Sequence, residues 1–364
     1  MKSTLTLLFL LSMNNIIWGQ NREILKHNKF NSANFKNYGI EVKKKWFDSI
    51  KINFYGDVEF IDGRADKSKM GFVRMGEKNS FYNFVFPEKN SEYINSRFQH
   101  IIQTANKESS LRIVIRHMWM SQVIAKATFA ESLLTGPKGY LSFCYFKADY
   151  YREKDGMVQF AGELDTVISL RKWIGHASDD LIKKTLITAL TVCDSMLSLS
   201  SANPFYPVRL LSDSLENQFN YPILKTKEPK KGIYRSYEDF LNNNPMEGDF
   251  KIKTSKADTY LFSNTIDTSV TNIAWGYSDG RSIYKHLNES YYKMNRVQNT
   301  FELAGPRIIR KIFTKEGEFF DVALNTFLHG LSGGGLMVLF ILSDKKIMTE
   351  LVPYQLNIKE GTFY

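Results

Sequence analysis

A Gly-x-Ser-x-Gly pattern at residues 330–334 is the spacing in this chain that most resembles a catalytic motif. In α/β hydrolases it places a nucleophilic serine on a sharp turn between a strand and a helix, and the Asp and His partners follow later in the chain. Here the last histidine, His329, precedes Ser332, and the surrounding sequence predicts strands rather than a doubly wound sheet. The pattern therefore predicts a glycine-rich bend and not a nucleophile.

Carboxylates recur at Asp57, Asp62 and Asp66, where an acidic loop could hold a cation. The full spacing of a calcium loop and its closing glutamate are missing. Aspartates in such loops more commonly accept hydrogen bonds from nearby backbone N–H groups. We therefore expect an ordinary turn here.

Other catalytic and metal-binding chemistries have little support. Glu131, Asp149 and Asp165 could form a glycosidase-type pair, but the sequence does not fix the separation that such a pair needs. No phosphate-binding or dinucleotide-binding glycine loop occurs. None of the histidines is spaced as a zinc-ligand pair: His27, His100, His117, His176, His286 and His329. We assign no catalytic residue, no metal ligand and no cofactor.

The elements that would position these residues predict an α+β fold in two units. Residues 43–205 are expected to form an α/β sandwich-like domain, a sheet covered by two helices. Alternation over Leu111–Met120 predicts a strand with one buried face. Thr128–Leu134 and Tyr140–Tyr151 are predicted to pair around a Gly-Pro-Lys-Gly turn, and Met157–Leu170 predicts one more strand.

The strongest helix prediction begins at Ser178. A serine followed by two aspartates suits the start of a helix, and apolar residues then recur at helical spacing: Leu181, Ile182, Leu186, Leu190, Cys193 and Leu197. Helical spacing predicts a second helix over Ser91–Lys107. These are the two helices that would cover the sheet.

The rest of the chain divides by composition. Residues 231–364 carry short strand-like runs every eight to twelve residues, which predicts a mainly antiparallel β domain. Residues 206–230 are rich in proline and are expected to be a linker or a strap on the first domain. Residues 20–42 are polar, and we expect a mobile N-terminal extension there.

The first nineteen residues have the layout of a secretory signal peptide: a positive start, a short apolar run from Leu5 to Met13, and a small residue, Gly19. We expect the mature chain to begin near Gln20 and to be secreted or periplasmic. Two cysteines, Cys144 and Cys193, are few for a secreted protein that relies on disulfides. Two buried free thiols are the favoured interpretation, and a single bridge is the alternative.

The chain is basic, with 48 Lys and Arg against 38 Asp and Glu and a formal net charge of +10. Such a balance suits an anionic envelope polymer or lipid surface, and an envelope protein is the other partner we expect. No fold signature of a nucleic-acid-binding protein accompanies it, and we expect no nucleic-acid partner. Thr326–Ser343 approaches the length of a membrane span. A buried strand or hairpin is the favoured interpretation of that segment, so we expect no integral span.

Two segments of the second unit carry a resemblance. Residues 231–245, with Gly232, Tyr234, Phe240 and Pro245, resemble a KG-I/V-Y-x-S/T-F/Y-x-E/D-F segment followed by N-x-P in uncharacterised secreted or envelope proteins of Bacteroidetes-type bacteria. Residues 275–284 resemble the WGY-x-DGK-x-I/L-Y segment of the same proteins, at these positions: Trp275, Gly276, Tyr277, Asp279, Gly280 and Tyr284. The resemblance implies an exported protein with no established activity.

These residues also predict a local structure. Trp275 and Tyr277 are expected on one face of a strand, and Asp279-Gly280 is expected to turn the chain so that Ile283 or Tyr284 packs beside them. Aromatics and turn residues specify a fold but supply no titratable pair. We therefore expect an exported, non-enzymatic envelope protein with a structural or interaction role. The alternatives are a secreted hydrolase acting on glycan or peptide and a small-ligand or lipid carrier.

Overall fold

The computed structural model describes residues 30–43, 46, 51–52, 57–75, 80–87, 90–98, 103–104, 109–125, 139–170, 172, 174–199, 203–248, 250–254, 259–263, 274–287, 290–306, 311–313, 319–321 and 351–364. The predicted signal peptide, the Gly-x-Ser-x-Gly pattern and Thr326–Ser343 lie outside these residues. In the described part, no helix combines the length and the apolar character needed to cross a membrane.

The first half contains these elements: β1 (Lys36–Gly39), β2 (Lys51–Ile52), β3 (Val58–Asp62), β4 (Phe72–Met75), β5 (Ser80–Val85), α1 (Asn90–Phe98), β6 (Gln103–Thr104), β7 (Ser110–Ala125), β8 (Gly139–Lys154), β9 (Met157–Leu170), α2 (Ile174–Thr191), α3 (Cys193–Leu199) and β10 (Phe205–Pro207). A five-stranded sheet runs in the order β10-β9-β8-β7-β3. The strand β3 is parallel to β7, and the other pairs are antiparallel.

The long meander of β7, β8 and β9 is the frame of this half. Its strands have 16, 16 and 14 residues, and α2 covers one face with Leu181, Ile182, Leu186 and Leu190 fully buried. The spacing of four residues between Ile182, Leu186 and Leu190, with Leu181 beside the first of them, explains that buried stripe. A smaller sheet in the order β1-β5-β4 lies beside it.

The second half continues with α4 (Val208–Asn217), α5 (Pro222–Lys225), β11 (Gly232–Tyr234), α6 (Tyr237–Leu241), β12 (Phe250–Thr254), β13 (Thr259–Ser263), β14 (Gly276–Ser278), β15 (Ile283–Leu287), β16 (Ser290–Val297), β17 (Thr300–Pro306), β18 (Lys311–Phe313), β19 (Phe319–Asp321), β20 (Leu351–Asn357) and β21 (Thr362–Phe363). Seven of these strands form a sheet in the order β11-β14-β15-β16-β17-β20-β21, and every pair in it is antiparallel.

The predicted fold class is confirmed: the chain is α+β, with strand the larger share and the antiparallel sheet in the second half. Several details differ. The strand β8 pairs with β7 on one side and β9 on the other, so residues 140–151 have no free edge for the predicted partner Thr128–Leu134, which lies outside the described residues.

Helix α2 begins at Ile174, four residues before the predicted cap. Ile174 and Ala177 are fully buried against the sheet, and Ser178 is a buried residue inside the helix rather than its cap. Burial of the first turn therefore sets the start of this helix. At the other end the predicted single helix is divided at Val192, after which α3 begins. Cys144 and Cys193 are both buried and free, as the favoured interpretation has it.

Two segments assigned by composition carry more structure than expected. Within the predicted mobile extension, residues 30–42 form a short 3-10 helix and β1, which pairs with β5, and Ile40 and Val42 are buried. Within the predicted strap, Leu211 of α4 packs on the outer face of the long meander, whereas Ile223 and Leu224 of α5 pack in the core of the second half. The strap therefore spans both halves.

Candidate functional site

The two segments that carry the resemblance come together in the structure, although some forty residues separate them along the chain. The strand β11 pairs antiparallel with β14, so that Gly232 lies opposite Ser278 and Tyr234 opposite Gly276. The strand β14 then pairs with β15. The result is a three-stranded edge of the seven-stranded sheet, closed on one side by α6.

The aromatic residues of these segments pack as a cluster. The Phe240 ring stacks on Trp275 with centroids 4.3 Å apart, and it meets Tyr234 edge-on at 5.6 Å. The Tyr234 hydroxyl donates to Asn243 Oδ1 at 2.9 Å. A capping box of Ser236 and Asp239 starts α6 and thereby fixes where Phe240 enters the core.

The expectation that Trp275 and Tyr277 share a face is wrong. Trp275 packs in the cluster with Phe240, while Tyr277 packs in a different cluster with Ile233. Strand alternation applies only inside a strand, and Trp275 precedes β14, which begins at Gly276. Tyr284 does pack beside Tyr277, its partner across the ladder.

Close backbone contacts explain the glycines of the motif. A Cβ on Gly276 would lie 2.6 Å from the Tyr284 carbonyl oxygen, and one on Gly232 would lie 2.4 Å from that of Met246. Gly232 also has a φ of +148°, which favours glycine. Pro245 is buried beside it. These residues build the sheet edge.

The motif turn does have a chemical consequence. Asp279 Oδ1 accepts from the backbone N–H groups of Arg281 and Ser282 at 2.8 and 2.7 Å, and Tyr284 donates to the other oxygen at 3.2 Å. Gly280 takes the left-handed backbone that the turn requires, with φ +91°. The Asp279 carboxylate is thus engaged within its own turn, which presents the Arg281 side chain.

Arg281 lines a cavity of about 380 Å³ that we call the basic groove. Three further cations line it with Arg281: Lys227 from the strap, and Lys293 and Arg296 from β16. None of the described residues that line the groove is Asp or Glu. Its apolar floor consists of Ile283, Met294 and Phe301, which are core residues exposed by 3–6%.

These cations are not neutralised by neighbours within the described part of the chain. No ion pair there joins any of the four to a carboxylate. Arg296 is oriented by a bond from Nη1 to the Thr226 carbonyl at 3.2 Å, which ties β16 to the strap. The groove therefore has an excess of positive charge.

A buried charge cluster lies behind one wall of the groove. Ser32, a groove residue, donates to the carboxylate of Glu302 and accepts from Lys69 Nζ at 2.9 Å. Lys69 Nζ also lies 2.8 Å from Glu302 Oε1. The same ammonium lies 3.8 Å from Asp66 Oδ2, so Lys69 is shared by two buried carboxylates.

The carboxylates considered for catalysis are held elsewhere by cations. Asp149 accepts from Arg116 Nε at 2.5 Å, and Asp165 lies 3.5 Å from Lys147. Glu131 lies outside the described residues. In the acidic loop, Asp62 pairs with Arg64 at 2.9 Å, and Asp66 accepts from the Ser68 backbone N–H at 2.8 Å, which is the ordinary turn that was expected.

The described part of the chain offers little support for a metal site or for a catalytic histidine. No three His, Cys, Asp or Glu side chains converge there to hold a metal ion. His117 stacks on Tyr364, and His286 on Tyr291. A cavity of about 30 Å³ between the halves, lined by Arg64, Arg116 and His117 among others, has room for little more than a water molecule.

Near the motif, Lys285 carries an ammonium whose pKa is strongly shifted. Its ammonium donates to the carbonyls of Trp275 and His286 at 2.8 and 2.9 Å and lies 4.6 Å from the centre of the Trp275 ring. Burial lowers the pKa of Lys285 to about 8. The groove and this lysine were both missed from the sequence, because the groove cations come from three separate segments and no spacing rule connects them.

Comparisons with known proteins add little. No family model matches the chain, and no curated protein matches it. Among solved structures, a DUF330-family protein from Xanthomonas campestris is similar at 7% identity and a TM-score of 0.24, over 47% of this chain and 91% of that one. A TM-score of this size carries no inference about fold or function.

Proposed function

We propose that this chain is an exported, non-enzymatic protein of the bacterial cell envelope that holds an anionic envelope component in its basic groove. The lining of the groove carries the proposal: four cations and, among its described residues, no carboxylate. Charge of one sign concentrates ligands of the opposite sign. General acid–base chemistry needs a positioned titratable acid or base, and this lining offers only cations and neutral groups.

Sequence patterns support the compartment. Residues 1–19 have the layout of a cleaved leader, and residues 229–303 resemble segments of secreted or envelope proteins. Arg281 stands where that resemblance has a lysine, so the motif turn and the groove share a cation. A carrier of a small amphiphile is the second candidate function, and the apolar floor of Ile283, Met294 and Phe301 favours it.

Fractionation and capture test the proposal together. In a bacterial host, we expect the protein in the envelope or periplasmic fraction, with an intact mass that lacks the leader. Immobilised mature protein should retain an anionic component from envelope extracts, and R281Q/K293Q should not. A matched control is K172Q/R209Q, since both side chains are exposed and lie outside the groove.

Two results would overturn the proposal. One is a cytosolic protein that retains Met1. The other is equal retention of the same component by R281Q/K293Q and by the control, because the groove would then play no part in capture.

A further inference from the structure

Three properties of the basic groove constrain its occupant: the number of its cations, its confined volume and its apolar floor. Lys227, Arg281, Lys293 and Arg296 all line the same cavity, although Lys293 and Arg296, three residues apart on β16, leave the strand from opposite faces. A single carboxylate carries one charge, whereas a phosphate ester carries up to two and offers three acceptor oxygens. Four cations around one space therefore suit a phosphate group better than a single carboxylate.

The two arginines add geometric selectivity. A guanidinium donates two parallel hydrogen bonds to a phosphate or carboxylate, while an ammonium acts as a compact point charge. Arg296 donates from Nη1 to the Thr226 carbonyl at 3.2 Å and from Nε to the Gln298 carbonyl at 3.4 Å, which leaves Nη2 for a ligand. Arg281 is held at the groove by the turn of Asp279, whose carboxylate binds the Arg281 backbone and not its guanidinium.

The volume of the groove and its apolar residues indicate that the phosphate belongs to an organic ligand. A space of about 380 Å³ falls within the range of sites for small organic ligands, and it exceeds the need of an inorganic ion. Ile283, Met294 and Phe301 add the small apolar area that their 3–6% exposure leaves, and Ser282 adds a hydroxyl group on the wall.

We infer that the basic groove binds a phosphate ester, with the phosphate among the four cations and the attached carbon skeleton on the apolar floor. This inference rests on the proposed function, since it names the chemistry of the anionic component. A glycerophospholipid headgroup and a sugar phosphate share that chemistry. The contacts are non-covalent, and no bond of the ligand changes.

Calorimetric titration of the mature protein tests the inference with glycerol 3-phosphate as a soluble probe. We expect saturable binding at low salt that weakens as salt rises, because the groove cations are largely exposed and salt screens exposed charges. R281Q and K293Q should each weaken binding by about tenfold, the scale of one lost charge-assisted contact. The control K172Q/R209Q should bind like the wild type.

Flotation with phosphatidylcholine vesicles, with and without phosphatidic acid, distinguishes a lipid headgroup from a soluble phosphate ester as the ligand. Binding to the vesicles that contain phosphatidic acid assigns a lipid headgroup; binding of soluble glycerol 3-phosphate without vesicle binding assigns a soluble ester. Either outcome supports the inference if R281Q/K293Q abolishes it. Unchanged circular dichroism and melting of R281Q/K293Q would show that the loss is local.

The inference is overturned if neither probe binds, or if R281Q/K293Q binds both as well as the wild type. It is also overturned if polygalacturonate, a carboxylate polymer, binds through the groove cations while both phosphate probes fail. In that last case the proposed function stands and the ligand class is wrong, so the two failures are distinguishable.

Discussion

The ammonium of Lys69 lies 2.8 Å from the carboxylate of Glu302, and both side chains are almost wholly buried, at 6% and 0% exposure. Lys69 follows the acidic loop of the first half, whereas Glu302 lies on β17 of the second. Burial raises the pKa of Glu302 and outweighs the opposing effects of Lys69 and Ser32. Gln355 joins the same cluster through a bond to Asp66 at 2.8 Å. This cluster fastens the two halves together.

Removing one partner of this pair should destabilise the protein strongly. In K69M or E302Q the remaining buried group loses its partner, and such changes cost about 3–5 kcal/mol. The double variant K69M/E302Q should lose less than the sum of the two single losses, since the Lys69–Glu302 contact is then lost only once. The loss stays substantial, because buried Asp66 also loses its ion pair with Lys69. Urea unfolding of all four proteins measures the coupling.

An exposed pair provides the control for that cycle. Lys172 and Asp180 lie 3.1 Å apart with side chains 56% and 52% exposed, and exposed pairs contribute little. K172M/D180N should therefore leave the unfolding midpoint close to that of the wild type. Strictly additive losses in the Lys69–Glu302 cycle would show that the pair does not couple the halves.

Lys285 should make stability rise with pH over a defined window. Its folded pKa of about 8 lies below the value of about 10.4 for an unfolded lysine. Between these values the unfolded chain binds more protons than the folded one, so stability increases with pH, in total by about 3 kcal/mol. Below the folded pKa the full penalty for burying the charge remains.

The comparison with K285M isolates this effect. Buried thiols have raised pKa values and therefore destabilise the fold at high pH, but they are present in both proteins and cancel. The stability of the wild type relative to K285M should be greater at about pH 9.5 than at about pH 7. A difference that does not change with pH would contradict the assignment of a buried, desolvated ammonium.

Gly276 should tolerate no side chain. In G276A the new Cβ would lie 2.6 Å from the Tyr284 carbonyl oxygen, inside the β14–β15 ladder, and the strands would have to separate. We expect a loss of about 2 kcal/mol or more, a usual size for an overpacked site. Gly39 on β1 is the matched control, because nothing lies within 4 Å of its Cβ position.

Thermal unfolding of G276A and G39A checks this prediction. A melting temperature of G276A equal to that of G39A would mean that the close packing of β14 on β15 is not needed for the fold.

The cysteines should be protected in the folded protein. Cys144 and Cys193 are fully buried, and burial raises the pKa of Cys144 to about 12. Because the thiolate is the reactive species, an aromatic disulfide reagent near neutral pH should label neither thiol until denaturant is added, and then both. Immediate labelling of the native protein, or one mole of disulfide in the denatured protein, would contradict this.

The parts of the fold that follow local rules were predictable from the sequence. The strand over Leu111–Met120 and the turn at Asp279-Gly280 each depend on neighbours a few residues away, and each is confirmed. The single buried face expected for that strand is wrong, because Val114 is also buried, on the opposite face beside Leu211. The helix predicted over Ser91–Lys107 ends at Phe98, and β6 follows it. The start of α2 was not predicted, because the burial of Ile174 against a distant strand overrides the local cap signal at Ser178.

The candidate site was less predictable for the same reason. Pairing of β11 with β14 joins segments some forty residues apart, and this brings Arg281 and Lys227 to one groove. Each of these cations is an ordinary surface residue when the sequence is read alone. Their shared role depends on long-range strand register, which composition and short motifs do not specify.

In the proposed complex, Arg281 and Arg296 contact the anionic ligand in the basic groove. The most direct measurement follows the Nε–Hε signals of ¹⁵N-labelled arginine during titration with glycerol 3-phosphate. We predict saturable shifts for Arg281 and Arg296, and none for Arg64, which is buried against Asp62, or for exposed Arg209. If the Arg281 and Arg296 signals do not shift, or if Arg209 shifts equally, the ligand does not bind at the groove arginines.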